Sequence, residues 1–288
     1  MTLDTLAQRM KAYEQHETDR APLAGLPILV RVDGRGFSTF TRGMTRPYDQ
    51  ALADLMVATT KHLVAKTGAL IGYTQSDEIS LILQAPDGQP SRSDELFFGG
   101  RLQKLTSVIA GLATARFLAT AMTHWPDRCA RELPVFDARV FPVPDRDEAA
   151  NALLWRQSDA TKNAISMAAQ AYYSHTELLK KTGSAKQEML FLKGVNFNDY
   201  PARFRRGIFV RRREVLRPLT DVELAAIPAP HRPTGPILRK EIQAFDLPPL
   251  YQVANRVAVI FDDATPQPIV EADVRAAASE RKATRRQP

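Results

Sequence analysis

The chain has 288 residues, 44% apolar and 25% charged, enough to bury a sizeable core as one large domain or one domain with appendages. Its formal charge of +7 favours polyanionic partners, and its single cysteine, Cys129, excludes an internal disulfide framework or a cysteine-built zinc site. No apolar run is read as approaching the roughly 18 residues of a membrane span, and none has signal- or transit-peptide form, so the expectation is a cytoplasmic protein without membrane contact.

Residues 2–18 predict an amphipathic helix, with Leu3, Leu6, Met10 and Tyr13 at helical spacing. Pro22, Gly25 and Pro27 then break the chain before a buried strand at 28–33, which delivers Asp33 into the turn Gly34-Arg35-Gly36-Phe37. Arg46-Pro47 opens a helix over about 48–67, with Leu52, Leu55, Met56, Thr59 and Leu63 on its buried face and Gly68 at its end. Strands at about 69–75 and 79–84 flank Ser76-Asp77-Glu78 as a hairpin tip, and Ala85-Pro86-Asp87-Gly88 closes them. A helix over about 94–123 carries the stripe Leu102, Leu105, Ile109, Leu112 and Ala113, stops at Trp125-Pro126, and precedes a strand at 135–143.

Strand, helix, strand, strand, helix, strand is the split ferredoxin-like βαββαβ order. The fold class is therefore α+β, a palm-like antiparallel sheet packed by long helices, a layout shared by polymerase palms and nucleotidyl cyclases. Asp145 leads into a helix at 146–176 whose polar stripe, Arg156, Asp159, Asn163, Ser166 and Gln170, falls on one face. Leu154, Trp155, Ile165 and Met167 are expected to pack on the other. A short helix at 184–192, an arginine-rich strand at 207–213, a proline-broken region to about 248 and an apolar strand-like run at 253–261 follow. This divides the chain into a palm-like catalytic core at 1–144, a helical and basic part at 145–262, and a flexible basic tail at 263–288 with Arg275, Arg281, Lys282, Arg285 and Arg286.

Asp and Glu are poor strand formers and costly to bury unpaired, so acids at two strand tips need partners. Oxygen-only ligation suits Mg²⁺, which binds through one or two carboxylates plus substrate phosphates. Asp33 and Asp77, with Glu78 beside them, therefore point to two-metal phosphoryl or nucleotidyl transfer. Arg101 and Lys104, three apart on the long helix behind Gly99-Gly100, fit a triphosphate. The cluster Arg203, Arg205, Arg206, Arg211, Arg212 and Arg213, interleaved with Phe204 and Phe209, fits phosphate or RNA contact, because guanidinium forks match phosphate oxygens. The five histidines are scattered without ligand spacing, and no P-loop or nucleophile elbow is present.

Arg31-Val32-Asp33-Gly34-Arg35-Gly36-Phe37 followed by Gln75-Ser76-Asp77-Glu78 resembles the tRNA-His guanylyltransferase family and its tRNA-repairing relatives, the 3′-to-5′ nucleotide-adding polymerases. Arg46-Pro47-Tyr48-Asp49, Trp155-Arg156-Gln157-Ser158-Asp159, Lys186 to Phe191, Asn196-Phe197-Asn198 and Arg205-Arg206-Gly207 extend the resemblance over about residues 5–215. It implies two Mg²⁺ held by Asp33, the Gly34 carbonyl and Asp77, with Asp33, Asp77 and Glu78 as the catalytic acids. It further implies a nucleotide along Asp33, Gly34, Arg35, Gly36, Phe37 and Ser38 and at Ser76-Asp77, with Arg46 and Asp49 nearby. Arg101, Lys104, Lys186 and Asn196 would hold triphosphate, and Arg156, Asn163, Arg203, Arg205 and Arg206 would meet RNA. GTP and ATP are the implied substrates, tRNA the partner, and a homo-tetramer or dimer the assembly.

The sequence departs from the family pattern at two places. A His-Ile-Asn-Asn-type motif is replaced by Thr161-Lys162-Asn163-Ala164, and the His that follows the first-motif Phe is Ser38. A relative that repairs truncated tRNA 5′ ends fits these changes. The rival readings are a non-catalytic RNA- or nucleotide-binding protein on a palm fold, and a nucleotidyl cyclase.

Overall fold

The computed structural model describes residues 3–84 and 96–269. The predicted turn at 85–88 and the tail arginines lie outside the described residues; the helix placed at 94–123 begins only at Leu102, because Phe98, Gly99 and Gly100 take positive φ in a 3-10 turn before it. The first helix, α1 (Leu3–Thr18), leads to β1 (Ile28–Arg35), the one-turn α2 (Phe37–Phe40), α3 (Gln50–Thr67), β2 (Ile71–Gln75) and β3 (Glu78–Leu83). Then come α4 (Leu102–His124), α5 (Pro126–Arg131), β4 (Val135–Pro142), α6 (Arg146–Gln170), α7 (His175–Leu178), α8 (Gly183–Leu192) and α9 (Ala202–Arg206). Strand β5 (Ile208–Arg217), α10 (Asp221–Ala225), β6 (Ile237–Phe245) and α11 (Arg256–Asp262) complete the chain.

The strands form one six-stranded sheet in the order β4-β1-β3-β2-β5-β6, with every neighbouring pair antiparallel. Its first four strands with α3 and α4 are the expected palm-like layout. Pleating sends Ile28, Val30 and Val32 of β1 and Ile79, Leu81 and Leu83 of β3 to one face, where they meet Leu55, Met56 and Leu63 of α3 and Leu105, Ile109 and Phe117 of α4. Each such side chain contributes about 1.5–3 kcal/mol on burial. The same alternation leaves Arg31 and Asp33 on the opposite face.

Helix α3 begins two residues later than expected. Asp49 is its N-cap, accepting the Leu52 N–H at 3.1 Å, so Arg46-Pro47 precedes the helix instead of opening it. Helix α4 corrects the reading of apolar runs: by length and composition, with mean hydropathy 1.4, it is long and apolar enough to cross a membrane. Its row Leu105, Ile109, Ala113, Phe117 and Ala121 is fully buried in the core beneath the sheet. In α1, by contrast, Leu6, Met10 and Tyr13 of the predicted stripe are exposed.

The chain separates into two compact units. One takes the chain up to Thr45, Asp49–Pro142 and Ile208–Phe245; the other takes Arg46–Tyr48, Val143–Gly207 and the chain from Asp246. The sequence division at 144 does not follow these units, because β5 pairs on β2 and carries β6 back into the first. Strand β6 lies within the region expected to be proline-broken, where Arg239-Lys240-Glu241 hide its alternation. The run at 253–261 forms α11 rather than a strand; its consecutive apolar residues fit either state.

In the second unit α6 buries an alanine-rich face, Ala149, Ala150, Leu153, Ala160, Ala164, Ala168 and Ala169. Arg156 and Gln157 lie on that buried side, while Trp155 is 56% exposed, so the predicted polar and apolar faces are not cleanly separated. The helix also ends at Gln170 rather than 176.

Candidate active site

Four acids and two arginines share one patch of the first unit. Strand register sets Asp33 directly opposite both Glu78 on β3 and Asp137 on β4, and Arg31 opposite Ser80 and Arg139. Asp77 joins them from the β2–β3 turn, where the Gly34 N–H donates to its carbonyl at 3.1 Å and ties the two strand tips together. Gly34 has no room for a side chain, since a Cβ there would stand 2.4 Å from the Phe37 ring.

The electrostatics are unbalanced. Arg31 is committed to Glu78 at 2.9 Å and reaches Asp33 only at 4.0 Å. Arg139 stands 3.9 Å from Asp33 and 3.6 Å from Asp137, beyond hydrogen-bond reach of both. Burial pushes the Asp77 carboxyl above its ordinary value, and the neighbouring Asp33 and Glu78 charges add to the rise. Its own backbone N–H and the Ser76 hydroxyl, 3.1 Å away, oppose that rise. Ser76 takes a positive φ of 54° to make this tight turn. The patch thus holds more anion than its cations neutralise.

Among the described residues no three acid, His or Cys side chains converge into a self-sufficient metal cage. Two hard-oxygen carboxylates at adjoining strand tips are nonetheless the donor set that suits Mg²⁺ bound jointly with substrate phosphates.

The other expected site residues divide by what they touch. Arg35 at the end of β1, Gly36 at φ 70° in the turn and Ser38 in α2 are exposed along the chain that follows Asp33. Phe37 is corrected: its ring is 3% exposed and packs on Phe40, Phe117 and Phe136 at 4.9–5.5 Å, so it is core and offers no base platform. Asp49 spends its carboxylate on the α3 cap and on the Thr45 N–H at 3.4 Å, while Arg46 is exposed in the other unit. Arg101 lies 3.7 Å from Asp19 and Lys104 sits 4.7 Å over the Phe98 ring, so the two do not share a target.

In the second unit Lys186 donates to Ser166 Oγ at 2.9 Å, and Asn196 caps the following turn by accepting the Asn198 N–H at 3.0 Å. Arg156 is also corrected: it is 8% exposed, bonded to Asp159 at 3.1 Å and stacked on Trp155. Arg205 and Arg206 each give their Nε–H to a main-chain carbonyl, of Tyr200 and Leu247, at 2.8 and 2.9 Å. Arg203 is half-buried, and Asn163 is exposed. Sequence reasoning gave no role to Arg31, Asp137 or Arg139. A spacing of two from Asp33 in β1, and of two within β4, places them on the acid face and could have found them.

A palm-like sheet with an uncompensated carboxylate cluster at its strand tips defines a protein of the nucleotide-handling, phosphoryl-transfer class. The family described as Thg1, tRNAHis guanylyltransferase, matches residues 7–144. The tRNA(His) guanylyltransferase of Schizosaccharomyces pombe is 31% identical over 218 residues, 70% of this chain and 80% of that one. An uncharacterized protein of Acanthamoeba polyphaga mimivirus is 35% identical over 189 residues, and the chain spans 63% of its length. A bacterial tRNA(His) guanylyltransferase-like protein in complex with ATP has a TM-score of 0.67 and 38% identity, covering 72% of this chain and 88% of that one. A similar bacterial protein in complex with GTP has a TM-score of 0.65 and 31% identity, covering 86% and 94%. The chain belongs to the tRNA(His) guanylyltransferase family, whose members of that name are nucleotidyltransferases.

Proposed function

We propose that the chain is a Mg²⁺-dependent nucleotidyltransferase that adds nucleotides to the 5′ end of a tRNA in the 3′-to-5′ direction, with GTP and ATP as substrates. The observation that carries this reading is the crowding of Asp33, Asp77 and Glu78 at the strand tips, where only Glu78 has an arginine at hydrogen-bond distance. Asp33 and Asp77 would hold the metal, with the Gly34 carbonyl as a third oxygen. A divalent cation bound there offsets charge on the attacking and leaving oxygens.

The chain's own groups do the rest. Arg31 draws Glu78 aside at 2.9 Å, which leaves Asp33 and Asp77 as the open acids. The Gly34–Asp77 main-chain bond fixes the spacing of the two tips. The exposed Arg35, Gly36 and Ser38 line the nucleotide's approach, and Arg101 and Lys104 are the first unit's phosphate candidates. The 3′-hydroxyl oxygen of the incoming nucleotide bonds to the activated 5′ phosphorus of the RNA. From a 5′-triphosphate end pyrophosphate leaves with the electron pair; from a 5′-monophosphate end first adenylylated by ATP, with loss of pyrophosphate, AMP leaves instead, and in both cases the hydroxyl proton passes to solvent. Holding the reactants in line supplies most of the acceleration such chemistry needs. A homo-oligomer, dimer or tetramer, and a cytoplasmic location complete the reading.

Thr161-Lys162-Asn163-Ala164 and Ser38 favour repair of a shortened 5′ end over strict tRNA-His specificity. The test is incorporation of labelled GTP, with Mg²⁺, into full-length tRNA-His and into a tRNA lacking its 5′ nucleotide, each as 5′-monophosphate and 5′-triphosphate. Incorporation that favours the shortened RNA and vanishes in Asp33→Ala is expected. RNA bound without incorporation would overturn the enzyme in favour of a binding module, and cyclic product from nucleotide alone would make it a cyclase.

A further inference from the structure

Helix α8 carries a second feature, chemically unlike the acid patch. A depression of about 300 Å³ opens between α8 and the turn after it. Val195 and the buried Phe197 line its apolar side, and the Phe191 ring, 68% exposed, forms a wall. Gln187 and Glu188 stand four and three residues before Phe191, on the same helix face, and with Asn196 they supply the polar lining. Asn196 is held by two bonds, to the Asn198 N–H at 3.0 Å and the Asp199 carboxylate at 3.3 Å. Lys180 and Lys181 on the chain entering α8, and Lys193 on the chain leaving it, are all exposed.

Each component has a chemical counterpart in one ligand. An exposed aromatic ring is a stacking platform for any base, because every base has a π-face. Amides and a carboxylate beside that ring can read the donors and acceptors of a base edge. Flanking lysines suit the phosphates of the same strand. A purely apolar partner would bury Gln187 and Glu188 without offering their polar atoms a bond, at a cost for each. A paired base inside a helix cannot offer its face, so the ligand is unpaired.

We propose that this depression binds an unpaired nucleobase, from the RNA substrate or from a free nucleotide, with Phe191 as the stacking surface. The proposal rests on the nucleotidyltransferase reading for its ligand, yet its test needs no turnover. Fluorescence anisotropy in EDTA would measure the affinity of Phe191→Ala and Phe191→Tyr for labelled tRNA and for a labelled GTP analogue. Phe191→Ala should weaken one of them roughly tenfold, the loss of one stacked base, while Phe191→Tyr retains it. A loss confined to tRNA assigns the base to RNA; a loss confined to GTP assigns it to the incoming nucleotide. Melting curves should coincide, since the ring is exposed. Unchanged affinity for both, including a protein that changes only its oligomeric state, would overturn the proposal, as would a wild-type chain that binds neither. Failure of incorporation with these affinities intact would instead count against the transferase reading.

Discussion

At the tips of β1 and β3, Asp33, Asp77 and Glu78 crowd together, and only Glu78 has a cation at bonding distance. At the far end of the β5–β6 ribbon the arrangement is reversed. Arg217 gives two N–H bonds of 2.8 Å to Glu223 and a third bond to Glu241. Glu223 also accepts from the Thr220 N–H and hydroxyl at 2.9 and 3.0 Å, and its carboxyl is held well below the usual range, first by Arg217 and then by Thr220. One cluster is complete within the chain and braces a hairpin; the other is unfinished. An unfinished charge cluster on an otherwise ordered sheet marks where something from outside is meant to bind.

The comparison can be broken at four points. Asp77→Asn removes a carboxylate that burial and its neighbours already disfavour. Incorporation should fall by about 100-fold or more, while the melting temperature holds or rises. Gly34→Ala drives a methyl into the Phe37 ring and should cost about 1–3 kcal/mol in denaturant unfolding, with activity falling as the strand tips shift. Arg31→Ala leaves Glu78 half-buried without its cation and should destabilise by roughly 1–2 kcal/mol, with Arg31→Lys restoring part of the loss.

The smallest effect belongs to the completed cluster. Glu223→Ala should lower thermal stability slightly, in a salt-sensitive way, and leave incorporation unchanged. The sign of its pH dependence follows from the depressed carboxyl. The contribution is present above the ordinary carboxylate pKa of about 4.3 and fades only as pH falls below it. A melting profile of Glu223→Ala against wild type should therefore converge only in acid.

Much of this was legible beforehand, and for physical reasons. The palm order followed from period-2 and helical patterns punctuated by Gly68 and Trp125-Pro126, and the two acid tips from residue types that strands disfavour. What escaped the sequence was partnership. Phe37 sits in a binding motif yet packs three aromatic rings, because its neighbours Phe117 and Phe136 come from distant elements. Arg156 looked solvated on a polar stripe, but α6 turns that position inward. Arg31 was quoted within the motif without a role, since only pairing of β1 with β3 sets its side chain beside Glu78. Phe191 closes the motif Lys186 to Phe191, and only the fold shows its ring exposed beside a depression.

The most direct test is labelled GTP incorporation into a 5′-phosphorylated tRNA by purified Asp77→Asn whose melting curve matches or exceeds wild type. A folded variant with incorporation near the metal-free background is the predicted result. Wild-type incorporation by that variant would contradict the assignment of the crowded carboxylates as the metal-holding centre.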